Sequence, residues 1–380
     1  MSSNTSSKTS SKLFSPIDLA GRTFANRIVV SPMCQYSAEN GNATDWHLMH
    51  LGMLANSGAS LLILEATAVE AAGRITHGDL GLYNDENEAA LARVLTSVRR
   101  YGNAQLGIQI AHAGRKASSQ RPWEGGRALR PDQDPWTTYA PSAIPFAEDW
   151  HTPQAFAAQD FERVRNAFVA TAQRAVRLGF DAAELHGAHG YLLHAFLSPL
   201  SNQRTDGYGG GFEGRTRFPL EVFDAVRAVW PTDRPLGFRL SASDWIEGGW
   251  TIEESVAFAK LLKQRGCDFI DASSGGIALG AKIPLTPGYQ VPFAAQIRRE
   301  AEIPVMAVGL IVDPKQAERI VAEGEADFVA LARALLDEPH WGWRAARELG
   351  GEIAYPPQYA RAAPELWPGH KFQEESSVMD

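Results

Sequence analysis

Phe180-Asp-Ala-Ala-Glu-Leu-His-Gly-Ala-His-Gly-Tyr191 is the stretch from which the fold can be read. Residues 181–185 form a short apolar β-run that closes at once in small and polar residues. Gly187 and Gly190 break the strand, so His186 and His189 are expected on a turn rather than on opposite faces of a pleat. Two imidazoles and the Tyr191 phenol would then converge at the mouth of a strand. Such a group can hold a reacting oxygen or ligate a metal, and the stretch alone leaves both open.

The same unit recurs along the chain. β-runs at 28–31, 61–65, 106–111, 181–185, 235–240, 269–272, 304–308 and 327–331 alternate with amphipathic segments at 46–55, 86–101, 161–178, 218–229, 252–265, 291–300, 315–323 and 341–348. Near-continuous apolar strands followed by helices predict a parallel sheet buried on both faces. Eight such units are the number that closes a (β/α)8 TIM barrel; a doubly wound open sheet is the runner-up. Residues 13–26 read as an N-terminal hairpin turning near Gly21. A long loop insertion, 115–158, follows the third strand, is rich in proline and carries Trp123, Trp136 and Trp150. Leaving the catalytic face of a barrel, it is expected to be lid-like. The reading is one domain over 13–370, between a disordered Ser/Thr-rich tail at 1–12 and a C-terminal tail at 371–380.

Composition narrows the function classes. Net charge is −8 with 21% charged residues and no block of like charge, which argues against nucleic acid or an anionic membrane as partner. No apolar run reaches the length of a membrane span. Cys34 and Cys267 are the only cysteines, too few for a disulfide scaffold, a four-cysteine zinc site or a cysteine-held iron–sulfur cluster. A cytoplasmic protein is expected.

Several motifs invite chemistry. Gly209-Gly-Gly-Phe-Glu-Gly214 fits a dinucleotide pattern but follows loop residues rather than a strand, so it reads as a flexible loop before a helix. His47 and His50 share a helix face with no carboxylate nearby in sequence, which suggests packing. A zinc site at His186 and His189 would need a third ligand, with Glu184 and His194 as candidates. Gly309 after the seventh strand, and Ala332 and Arg333 after the eighth, fall where barrels bind phosphate. Ser31-Pro-Met-Cys34, Gln109 and Arg239 each have a structural reading. Together they are also the set an isoalloxazine ring needs: an amide for its pyrimidine edge and a cation near N1.

At this point the chain resembles the Old Yellow Enzyme family of FMN-dependent ene-reductases, within it the bacterial subgroup of xenobiotic reductase A-like and YqjM-like enzymes. The resemblance rests on Ser31-Pro-Met-Cys-Gln-Tyr36, Glu65-Ala-Thr-Ala68, Gln109-Ile-Ala-His-Ala-Gly-Arg-Lys116, Glu184-Leu-His-Gly-Ala-His-Gly-Tyr191 and Ser198-Pro-Leu-Ser-Asn-Gln-Arg-Thr-Asp-Gly-Tyr-Gly-Gly210. Cys34 and His189 mark the subgroup. The resemblance implies FMN contacts from Ser31, Pro32, Met33, Cys34, Ala66, Gln109 and Arg239, with the phosphate at Gly309, Ala332 and Arg333. It implies that His186 and His189 bind the substrate's oxygen, that Tyr36 lines the pocket, and that Tyr191 donates a proton. Arg361 would reach a partner subunit's site. Ala332 stands where the family often has Gly, and Gly214 where an Asn is common, a change expected to loosen that loop.

The implied activity is ping-pong: NADPH or NADH reduces the flavin, then an enone, enal or nitro compound takes the hydride from N5 and a proton from Tyr191. A homodimer or dimer-based homo-oligomer and no bound metal are expected with it. Two other classes stay in view, a metal-dependent barrel isomerase or hydrolase using His186 and His189, and a flavin-binding sensor without turnover.

Overall fold

In the computed structural model, which describes residues 11–370 and residue 372, the eight β-runs are the strands of one closed barrel. They are β1 (Ile28–Val30), β2 (Leu61–Ala68), β3 (Gln105–Ala111), β4 (Ala182–Gly187), β5 (Leu236–Ser241), β6 (Phe269–Ser273), β7 (Val305–Val308) and β8 (Phe328–Leu331). Each pairs in parallel with its neighbours in chain order, and β8 closes on β1. The barrel therefore stands and the open sheet is excluded. Every strand residue except Gln105 is buried, which is why the runs lack the polar alternation of a one-sided sheet.

The covering helices are α1 (Asp45–Leu54), α2 (Asp85–Tyr101), α3 (Ala158–Arg177), α4 (Phe212–Arg227), α5 (Ile252–Gln264), α6 (Val291–Ala301), α7 (Pro314–Ala322) and α8 (Trp341–Leu349). Local caps set several starts. The Asn84 side chain accepts from Asn87 N, and Thr251 and Glu254 form a reciprocal capping box. α3 begins before the apolar pattern does because the Asp160 carboxylate accepts from the Ala157 N–H at 2.9 Å. α4 begins at Phe212, whose ring stacks on Trp250.

The barrel interior has two tiers. Leu61, Ile63, Ala182, Phe269, Met306 and Phe328 fill the lower one, and Leu19 and Phe24 of the hairpin close its floor. That hairpin pairs Ile17–Leu19 with Arg22–Phe24 around Ala20 and Gly21, both at positive φ, as a two-residue turn requires. Gly237 belongs to this tier: a Cβ there would lie 2.3 Å from the Phe269 ring. Two residues further along the strands the interior turns polar, with Gln109, Glu184, Arg239 and Asp271 all buried.

Of the expected tails, residues 1–10, 371 and 373–380 lie outside the described range. Ser11 and Lys12 are held rather than loose: the Ser11 hydroxyl and the Lys12 N–H donate to the Glu318 carboxylate at 2.6 and 2.8 Å. The 115–158 segment contains short 3-10 turns and a two-stranded parallel pair, Tyr139–Ala140 with Gln154–Ala155. No helix among the described residues is long and apolar enough to cross a membrane.

Candidate active site

β4 runs through His186 to Gly187, so Gly187 does not break it and only His189 lies on the turn. Its φ is +59°, followed by Gly190 at +78°. A non-glycine residue in this region costs about 1–3 kcal/mol and persists only when its surroundings fix it. Here they do. The His189 N–H donates to Ser241 Oγ at 3.0 Å, and its carbonyl accepts from Lys116 Nζ at 2.8 Å. The Gly190 N–H donates to His194 Nδ1 at 2.8 Å, and His194 Nε2 is in turn 2.9 Å from Asp244 Oδ1. Gly190 itself tolerates no side chain, since a Cβ would stand 2.2 Å from the Gly276 carbonyl oxygen.

The turn brings three rings together. His186 packs edge-on against His189 at 5.2 Å and against Tyr191 at 4.9 Å between centroids. Burial, and then the Arg239 charge, hold both imidazoles well below the usual histidine pKa, so both are neutral. His186 Nδ1 accepts from the Ala188 N–H at 3.3 Å, which puts its hydrogen on Nε2. His189 Nε2 lies 2.7 Å from Ser273 Oγ. The same hydroxyl lies 3.4 Å from Gln290 Oε1; when it donates to the ring instead, Nδ1 carries the His189 hydrogen and the pair presents two N–H donors. Burial pushes the Tyr191 phenol well above its ordinary pKa, so it keeps its proton.

The polar tier forms the floor beneath these rings. Gln109 Nε2 donates to Glu184 Oε1 at 2.8 Å. Arg239 Nε pairs with Asp271 Oδ2 at 3.0 Å, and Nη2 reaches Ser31 Oγ at 3.3 Å. Ala66 sits at a register shift between β2 and β3, beside Gln109. Cys34 and Tyr191 pack on one apolar cluster with Ile75, Ala113, Ala117 and Trp136, so the start of the insertion walls this side. Burial raises the Cys34 thiol well above its usual range, and Asp79 and Glu65 add to the rise. Tyr36, at φ +52°, meets Trp123 edge-on at 5.8 Å.

The far end suits an anion. Gly309 has φ +122° and Leu310 +52°. The N–H groups of Gly309, Leu310, Ala332 and Arg333 donate to no protein acceptor among the described residues. The Arg333 guanidinium is exposed and bonded to no carboxylate among them. A phosphate would satisfy these donors together, while Gln109, Arg239 and Ser31 offer the donors a flavin's pyrimidine edge accepts. The residues present fit FMN.

Other expected positions separate from this group. Glu184 Oε1 accepts from Gln109, and His194 Nε2 pairs with Asp244 while its Nδ1 accepts from the Gly190 N–H. No three His, Cys, Asp or Glu side chains among the described residues converge to hold an ion. His47 does have a carboxylate partner, Glu65 Oε1 at 3.3 Å, from a neighbouring strand rather than nearby sequence. Gly214 lies in the first turn of α4 and packs on the preceding loop, where a Cβ would lie 2.1 Å from the Gly209 carbonyl oxygen. Arg361 is exposed, on the 3-10 turn Pro357–Ala362. Sequence reasoning missed Lys116, Ser273, Asp244 and Asp271 as parts of the site. Asp271, a charge inside an apolar run, was the one that carried a signal.

A family model described as the NADH:flavin oxidoreductase / NADH oxidase family matches residues 12–352. The chain belongs to this family. An NADPH dehydrogenase of Geobacillus sp. (strain WCH70) is 48% identical over 351 residues, 92% of this chain and 98% of that protein. Another, of Bacillus subtilis (strain 168), is 44% identical over 352 residues, again 92% and 98%. Among solved structures, morphinone reductase superposes with a TM-score of 0.74 at 27% identity, over 93% of each chain. The Old Yellow Enzyme resemblance holds, and this member of the family is an FMN-dependent NAD(P)H oxidoreductase.

Proposed function

We propose that the protein is an ene-reductase that reduces the activated C=C bond of enones, enals and nitroalkenes. The observation that carries this reading is the convergence of two neutral imidazoles and one protonated phenol above a floor containing Gln109 and Arg239. FMN, when bound, supplies the hydride chemistry, and the protein positions and polarises. His186 Nε2–H and His189 Nδ1–H hold the carbonyl or nitro oxygen. Their neutrality matters, because a buried cation pair could not serve as a fixed, low-reorganisation donor set. Each such donor is worth about 3 kcal/mol of barrier. Tyr191 donates the proton to the α-carbon, and its high pKa keeps it charged with that proton across neutral pH. Arg239 favours the added negative charge of reduced flavin. Nicotinamide and alkene use the same place in turn, giving ping-pong order.

The names of the relatives support NADPH as the preferred donor. Segment 115–158 acts as a lid, since Trp136 packs on the cluster that also holds Cys34 and Tyr191. Arg361 serves a second subunit's site in a homo-oligomer working in the cytoplasm, a reading its exposure on the surface supports. The test is direct: the purified protein is yellow, and its anaerobic reduction by NADPH is reversed on adding 2-cyclohexenone. A colourless protein, or a reduced flavin that the enone leaves unchanged, overturns the reading.

A further inference from the structure

The floor beneath the rings carries two carboxyl groups and one guanidinium. Arg239 on β5 stands in register with Asp271 on β6 and with His186 on β4, and Glu184 lies two residues before His186. Glu184 and Asp271 are both fully buried. Below them lies the apolar tier of Ala182, Phe269 and Met306, which offers no counterion. The other groups that face them are Gln109 from β3, Ser31 from the end of β1, and the neutral His186 and His189. Lys116 is further out, bonded to the carbonyls of His189 and Gly276 at 2.8 and 3.1 Å. Among the described residues, Glu184 Oε2 and both Asp271 oxygens have no hydrogen-bond partner, although Asp271 Oδ2 lies 3.0 Å from Arg239 Nε as an ion pair. Leaving one carboxylate buried without a counterion is costly, and two in one site oppose each other's ionisation.

We propose that Glu184 and Asp271 hold one proton between them, with Arg239 as their common counterion, and that these carboxyls are positioning residues which set how much of the Arg239 charge reaches the flavin. The proposal rests on the seating of FMN over Gln109 and Arg239 given above. With the proton present the floor is neutral, and Asp271 holds the Nε edge of the guanidinium while Glu184 fixes the Gln109 amide. Burial raises the Glu184 carboxyl, and the nearby Asp271 adds to the rise, so the shared proton leaves on the alkaline side of neutral. Once it has left, the floor is negative and opposes the negative charge of reduced flavin. Reduction there draws one proton from solvent back onto the pair, in addition to the two electrons and proton of the hydride. The coupling is thus one extra proton per two electrons.

The experiment is the midpoint potential of the FMN holoenzyme, measured with redox dyes from acid to alkaline pH. The line is expected to steepen on the alkaline side by about 30 mV per pH unit, the value of a tenfold change for a two-electron couple. In Glu184→Gln the break should disappear, with the acid-side potential matching wild type. A wild-type line of one slope, or a break that survives Glu184→Gln, overturns the proposal while leaving the FMN seating intact. Should Glu184→Gln fail to retain FMN, Asp271→Asn serves instead: freeing Arg239 should raise the potential at every pH, and an unmoved potential overturns the proposal. Arg239→Met tests the seating separately. If that variant keeps wild-type potentials, FMN does not lie against Arg239, and the proposal falls with the seating.

Discussion

Tyr191→Phe removes one hydroxyl and leaves everything else the ring does. The ring packs edge-on to His186 at 4.9 Å and lies 5.2 Å from Lys116 Nζ. Phe keeps both contacts. The hydroxyl hydrogen-bonds to no protein group among the described residues, so its loss orphans no buried partner and opens no cavity of consequence. The change in folding stability should stay within about 0.5 kcal/mol. The chemical consequence is different in scale. A positioned general acid is worth roughly 10²- to 10⁴-fold, or about 2.7–5.4 kcal/mol of barrier at 1.36 kcal/mol per tenfold. Stopped-flow absorbance of the flavin separates the two halves of the cycle. Reduction by NADPH should proceed at close to the wild-type rate, and reoxidation by an enone should slow within that range. An equal loss in both halves would show that the ring positions FMN rather than donating a proton. A loss below about tenfold in reoxidation alone would show that another group or solvent supplies the proton.

Other perturbations address the neighbouring groups. Replacing His186 and His189 together with Ala removes both oxygen-holding donors, so the Kd of a phenol such as p-hydroxybenzaldehyde should rise by about tenfold or more on titration; an unchanged Kd places the oxygen elsewhere. Cys34, held protonated by burial, should react with iodoacetamide at pH 7.5 far more slowly than an ordinary exposed thiol, because the thiolate is the nucleophile; alkylation at the rate of free cysteine would contradict that. Burial would raise the Glu70 carboxyl, but the His112 and Arg163 hydrogen bonds outweigh it and bring it down from 4.5 to about 2. A lowered carboxyl pKa gives stability that is present above the unfolded value and is lost as pH falls toward the folded one, here up to about 3 kcal/mol between pH 4.5 and 2. Glu70→Gln should flatten that acid limb in urea melts, and an unaltered pH slope would refute the pairing.

How far the sequence reached into this site depended on sequence distance. His186, His189 and Tyr191 lie within six residues, so one stretch exposed the chemistry before any fold was known. The barrel followed from eight apolar runs, because strands buried on both faces read as continuous hydrophobic segments. What stayed hidden were the partners that fix those rings. Ser273 is 84 residues from His189, and Lys116 is 73. Nothing in local pattern says which hydroxyl or ammonium will meet which ring. The carboxylate of His47 was hidden in the same way, for Glu65 sits on the adjacent strand β2.

The polar floor shows where more could have been read. Glu184, Arg239 and Asp271 each interrupt an otherwise apolar strand, and each alone reads as a single buried charge with its own partner. They occupy β4, β5 and β6, three strands in succession. In a barrel whose strands pair in chain order, charges on successive strands at inward positions must be neighbours. Once the eight-fold closure is accepted, the three charges cease to be separate questions. A cluster with two carboxyls and one guanidinium then follows from topology, and so does its problem of excess negative charge. The proton that resolves it lies beneath the site where the family's flavin is expected to gain negative charge.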